Sequence, residues 1–393
     1  IPLAFIGVFL YESIANWLSA ENPLIKNYSY LIFIIAIFIG YFEVFYSWTK
    51  VQFNSVFGNF IKEIFTRICT SFLLVAVYFN WISNEQFIYA IVVVYGVRTV
   101  IMKLYAIYIY MPKLVLKLPS NLKEILSFSF YIIVSGSAGA ILLEIDKFMI
   151  PQMEKIAEVA YYSVGIYIAS VVAIPTRAMQ QITSPITAKD INNNNLPEVE
   201  KLYKQTSINL LVVGGLLFLI INLNITDLYE LINKPQYTKG IGIVLIISIA
   251  KLMELALGTG NAILMNSKYY KTFFYMSLAM ALSVIVLNRY LIGLIGINGA
   301  ALATLIVVFI YSFIKIFYIK SKLNMQPFSL NTVKIVLIVS VVFFLFYFWN
   351  FNLNPILNML LKGILITVFY LLLINKFKIS QEVNNLLVKS FKK

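Results

Sequence analysis

The chain has 393 residues, 61% of them hydrophobic and 12% charged, with a mean hydropathy of +0.86. That excludes an ordinary water-soluble core, which carries roughly a quarter charged residues, and no segment is polar enough to form a separate soluble domain. The formal charge of +14, from 31 Lys+Arg against 17 Asp+Glu, reads as anchoring charge on the cytoplasmic side of a membrane protein, with no nucleic acid as partner.

A membrane-crossing helix needs about 20 mainly apolar residues. By that template the chain holds twelve spans, at 1–18, 28–48, 64–82, 87–110, 125–145, 159–183, 206–223, 240–264, 272–291, 297–318, 333–351 and 357–374. The runs are continuous rather than alternating, so the fold class is all-α and polytopic, not a β-barrel. The first run opens on Ile1-Pro2 with no basic region before it; no signal peptide is read there, and the natural N-terminus is expected upstream.

Lys and Arg collect on alternate connections, as topology requires. One set carries twenty, among them Lys50, Lys62, Arg67, Lys123, Lys189, Lys315 and the tail from Lys376; the other carries Lys26, Lys147, Lys155, Lys234, Lys239 and Arg289. Residue 1 and the C-terminus both come out cytoplasmic. The longest connection, Ser184 to Gln205, holds Asn192-Asn193-Asn194-Asn195 and Pro197. It is read either as the flexible join of two helical lobes or as a surface loop.

Four cations fall inside predicted spans, where each needs an explanation because removing a cation from water is costly. Arg98, in Tyr95-Gly96-Val97-Arg98, is deepest. It either lines a cavity for an anion or pairs internally with Glu12, Glu43 or Glu144. Arg177 follows Pro175, which is expected to kink its helix; gating and simple snorkelling both fit. Lys251 and Glu254 share one helix face, either as a self-neutralising pair or as an ion-responsive site. Glu43, in the second span, is the other candidate for ion coupling. Lys362 is expected to snorkel to the outer boundary, and Asp146-Lys147 to form an outer charge pair.

Catalytic groups are not found. Histidine is absent and Cys69 is the single cysteine, so imidazole chemistry, an intrachain disulfide and a cysteine metal cluster are excluded. No Walker loop, HExxH or GxSxG pattern occurs, and no cofactor or metal is implied. Small-residue stretches at Ser135–Ala140 and Gly296–Thr304 permit close helix contact.

Four stretches carry a resemblance over essentially the whole chain. Leu126-Ser127-Phe128-Ser129-Phe130 leads to Asp146-Lys147-Phe148-Met149-Ile150; then come Val159-Ala160-Tyr161-Tyr162-Ser163-Val164-Gly165, Gly258-Thr259-Gly260-Asn261 through Asn266-Ser267-Lys268, and, most specific, Leu287-Asn288-Arg289-Tyr290 through Gly296-Ile297-Asn298-Gly299-Ala300-Ala301-Leu302-Ala303-Thr304. In this order they resemble the bacterial O-antigen and capsule-repeat flippases of the multidrug/oligosaccharidyl-lipid/polysaccharide exporter superfamily.

The resemblance implies two six-helix lobes around a central cavity plus two C-terminal helices, fourteen in all, of which the first two are absent here. Domains are then expected at 1–118, 119–322 and 323–393. It implies alternating-access flipping of a polyprenyl-diphosphate-linked glycan in the bacterial inner membrane, with Arg98, Arg177 and Lys251 as cations for the diphosphate. Membrane lipids, a coupling cation or proton and a polysaccharide polymerase are the implied partners. The rival readings are a multidrug cation antiporter of the same superfamily and a membrane polysaccharide polymerase or glycosyltransferase.

Overall fold

Where water is scarce a backbone must satisfy its own hydrogen bonds, and the apolar runs do so as helices. A computed structural model describes residues 24–52, 54, 56–111, 120–126, 144–351 and 353–380, with isolated positions at 12, 15, 16, 129, 137 and 382. The described residues are almost entirely helical, without strands. Eight helices are long and apolar enough to cross a membrane, or nine if one bent pair counts as a single span. The predicted spans at 1–18 and 125–145 fall almost wholly outside the described residues, as does the small-residue stretch Ser135–Ala140 apart from Ser137.

The chain divides into two units, 1–123 and 124–393. In the first, α1 (Leu24–Val51) lies along α4 (Asn84–Ile109). Thr99 Oγ1 links them by donating to the Phe38 carbonyl at 2.9 Å. Between them in sequence, α2 (Val56–Phe60) runs through a π-helical turn, Ile61–Phe65, into α3 (Thr66–Tyr78). This replaces the straight span predicted at 64–82. Such bulges re-aim side chains, and here Lys62 meets Glu43 of α1 at 2.5 Å. Ser83 caps α4: its Oγ accepts from the Gln86 N–H at 3.1 Å, while its own N–H donates to Gln86 Oε1 at 2.8 Å. Phe42, Tyr46, Ile61 and Met102 form the core.

The second unit opens with helical residues 144–149 and a 3-10 turn, Ile150–Gln152. Next come α5 (Ile156–Ser170), a 3-10 turn at Val171–Ala173 and α6 (Ile174–Asn192). The kink expected at Pro175 is therefore displaced. The rod breaks upstream, and Pro175 occupies the first turn of α6, where its missing N–H costs nothing.

The connection Ser184–Gln205 is mostly helix rather than a flexible join, because α6 runs to Asn192 and α7 (Leu196–Leu223) starts after only three intervening residues with Pro197 in its first turn. It lies inside the second unit. After α8 (Ile225–Ile232), α9 (Ile241–Ala256) and α10 (Gly260–Asn266) meet at 53°. The unit ends with α11 (Tyr270–Ile295), α12 (Ile297–Leu323), α13 (Leu330–Tyr347) and α14 (Pro355–Lys376).

Two cores hold it. One joins α5, α8, α9 and the start of α12 through Tyr162, Ile243, Ile247 and Ala300. The other packs α13 and α14 on α7 through Leu219, Ile335, Val342, Ile366 and Tyr370. Tyr370 Oη adds a hydrogen bond to the Val212 carbonyl at 2.8 Å.

The bend after α9 depends on Gly258, whose φ of +48° suits glycine and whose Cβ, if present, would lie 2.7 Å from Thr206 Oγ1 and 2.8 Å from the Ser207 nitrogen on α7. Gly258→Ala is expected to cost about 1–3 kcal/mol in thermal unfolding of the detergent-solubilised protein. Gly363→Ala, where nothing lies within 4 Å, is expected to be neutral or to stabilise by about 0.5–1 kcal/mol.

Candidate functional site

Helix α4 carries Arg98 inward, 5% exposed. Its guanidinium carbon sits 4.2 Å from the Phe42 ring centre and 4.7 Å from that of Tyr95. One terminal nitrogen donates to Thr66 Oγ1 at 3.4 Å, and Nε has no hydrogen-bond partner. Ring faces thus replace the internal salt bridge considered from sequence, because Glu43 is engaged by Lys62 and Glu144 by Lys147 at 2.8 Å. Gly96 serves helix contact: a Cβ there would lie 3.3 Å from the Phe38 ring of α1.

The other predicted cations belong to the second unit. Arg177 is exposed in the first turn of α6, with no ion pair among the described residues. Lys251 Nζ binds Glu254 Oε2 at 2.9 Å, one turn along α9 and partly buried. Glu254 also attracts Lys315 of α12, which is 7% exposed, donates to Asn261 Oδ1 at 3.3 Å and lies 5.4 Å from the Phe273 ring centre. Sequence reasoning counted Lys315 among the loop anchors because it lies near the end of an apolar run. Only the packing of α9, α10 and α11 around it reveals its burial.

Lys362, expected to snorkel, is instead 6% exposed and faces Asp227. The helix α8, unforeseen in the sequence, brings that carboxylate to it.

The largest departure concerns Asp146. The outer pair with Lys147 does not form; Lys147 takes Glu144, and Asp146 turns inward, 2% exposed. Three donors converge on it. Tyr162 Oη of α5 donates to Oδ2 at 2.5 Å, Asn288 Nδ2 of α11 to Oδ1 at 2.6 Å and Thr304 Oγ1 of α12 to Oδ2 at 3.0 Å. Asn288 Oδ1 is buried without a partner.

Asp146 has no ion-pair contact among the described residues, Lys147 acting on it only at longer range, and burying a carboxylate is costly unless a proton or a positive charge joins it. Among the described residues no cluster of three or more His, Cys, Asp or Glu is built. All four polar members lie in stretches that carried the sequence resemblance, yet nothing in their spacing alone assembles them.

Arg98→Lys is expected to lower stability by about 1–2 kcal/mol in thermal melts, since a compact ammonium loses the planar stacking on two rings.

No protein-family model and no curated protein matches the sequence. Among solved structures, the fold is similar to that of the lipid II flippase MurJ in an inward closed conformation, with a TM-score of 0.70 over 96% of this chain and 80% of that one, at 17% sequence identity. The chain therefore has the polytopic all-α fold of that flippase.

Proposed function

We propose that the chain flips a polyprenyl-diphosphate-linked oligosaccharide repeat across the bacterial inner membrane by alternating access, for O-antigen, capsule or exopolysaccharide assembly. The observation that carries the reading is the fold likeness to a protein described as a lipid II flippase, over nearly the whole chain. It agrees with the resemblance of the motifs around Asp146 and Asn288. On this reading the protein is a transporter that forms no covalent intermediate, and its C-terminus is cytoplasmic.

Arg98, Arg177 and Lys251 are the proposed cations for the diphosphate. For Arg98 this requires α1 and α4 to shift so that the guanidinium leaves the rings of Phe42 and Tyr95 during the cycle. A closed state that hides its anion site behind cation–π contacts is a bistable element of the kind a transporter needs. Lys251 is held ready by Glu254, which Lys315 can take over when an anion arrives. Glu43 is a weaker candidate for coupling, since Lys62 holds it.

The better coupling group is Asp146. A proton or alkali cation bound there would tie α5, α11 and α12 together, and its release would loosen them. A polysaccharide polymerase is the proposed downstream partner. The buried acid Asp146 and the half-buried Glu254 also fit a multidrug cation antiporter of the same superfamily, and the cargo test separates the two.

In proteoliposomes holding a fluorescent polyprenyl-diphosphate glycan, wild-type protein is expected to make the label accessible from the opposite face. Arg98→Gln is expected to slow this about 10- to 100-fold, the worth of one charge-assisted hydrogen bond. Unchanged flipping by Arg98→Gln at equal protein level removes that residue from the mechanism. Transport of organic cations without any glycan flipping establishes the antiporter instead. Asp146→Asn is expected to retain flipping but abolish its dependence on a proton or sodium gradient; a mutant that keeps full gradient dependence excludes Asp146 as the coupling group.

A further inference from the structure

At the end of the second unit away from Lys376, the last turns of α7 and α13 meet α8 and the start of α14. They enclose a cavity of about 340 Å³. Lys362 lines it from α14 and Asp227 from α8, and the two attract each other without ion-pair contact. Asp227 is pinned instead by Asn358, whose Nδ2 donates to Oδ2 at 2.7 Å while its Oδ1 accepts from the Phe351 N–H at 3.3 Å.

Glu230, one turn along α8, is exposed and has no ion pair among the described residues. Asn222, 8% exposed, leaves its Oδ1 without a partner. A buried ammonium and two carboxylates thus stand apart across open volume, an arrangement that favours a ligand bearing both signs of charge.

Next to this cavity lies an apolar groove of about 690 Å³ between α7, α9, α12 and α13, with Leu245 and Phe343 lining both. From Phe343 the groove follows α13 to Thr332, a run of about 16 Å at about 1.5 Å per residue. That is close to one leaflet's share of a hydrocarbon core about 30 Å thick. Trp349 and Tyr347 at the mouth are the aromatic side chains that settle at headgroup level.

We propose that cavity and groove together bind one zwitterionic aminophospholipid from the surrounding bilayer. Its phosphate sits on Lys362, its ammonium on Asp227 and Glu230, and one acyl chain lies between α9 and α13. A purely anionic head would set uncompensated charge beside two carboxylates. A choline head brings no N–H for them, and a free sugar leaves the groove unfilled.

The test is native mass spectrometry of the delipidated full chain, titrated with phosphatidylethanolamine, phosphatidylcholine and phosphatidylglycerol of identical acyl chains. Wild type is expected to bind one phosphatidylethanolamine about tenfold more tightly than either other lipid, a difference of about 1.4 kcal/mol. Lys362→Met is expected to weaken all three. Glu230→Gln and Asp227→Asn are expected to keep one lipid bound but to bring phosphatidylethanolamine and phosphatidylglycerol within about twofold of each other.

The exposed position of Glu230 keeps that variant informative should a change at buried Lys362 prevent folding. Equal binding of the three lipids by wild type overturns the proposal. So does retention of the full preference by both carboxylate variants, or stoichiometric displacement of the phospholipid by a polyprenyl diphosphate.

Discussion

Asp146 sits where almost no water reaches, and three side chains from three other helices spend a hydrogen bond on it. Tyr162, Asn288 and Thr304 are separated from it by 16, 142 and 158 positions, so α5, α11 and α12 can pack only in a register that brings all of them to one point. Hydrophobic contact alone tolerates sliding between helices. A buried carboxylate does not, because each lost donor leaves a polar group stranded in a medium of low dielectric. One oxygen beside the knot, Asn288 Oδ1, is buried without a hydrogen-bond partner.

The first unit meets the same constraint with different chemistry. Arg98 makes no ion-pair contact among the described residues, Glu43 and Glu63 attracting it only at longer range, and the quadrupoles of Phe42 and Tyr95 with the Thr66 hydroxyl supply its immediate environment. Such contacts are softer than an ion pair and can be exchanged for a stronger anion. On α9 the arrangement differs again, with Glu254 placed between Lys251 and Lys315 so that its pairing can change while it remains neutralised.

The C-terminal pair of helices is more than an appendage. Leu219, Ile335, Val342, Ile366 and Tyr370 fuse α13 and α14 to α7, and the junction creates both an apolar groove and a polar end where Lys362 and Asp227 face each other. Pro197 and Pro355 lie in the first turns of their helices, where the fixed φ of proline assists the start. The apolar runs instead put Pro197 in a connection and begin these spans at 206 and 357. Nor do they show the short α8, which supplies Asp227, because eight residues between two spans look like a loop by composition.

Composition and the length of the apolar runs determined by themselves that this is an all-α membrane protein, and residue type marked Arg98, Arg177, Lys251 and Glu254 as charges needing partners. Linear order could not say which partner each would find. Asp146 left Lys147 for donors 16, 142 and 158 positions away, Lys315 moved from presumed anchor to buried group, and the connection around Asn192 became helix. Local patterns report whether a segment avoids water, since that depends on neighbours three and four positions away. The pairing of buried charges depends on distances between helices, which exist only once the chain has packed.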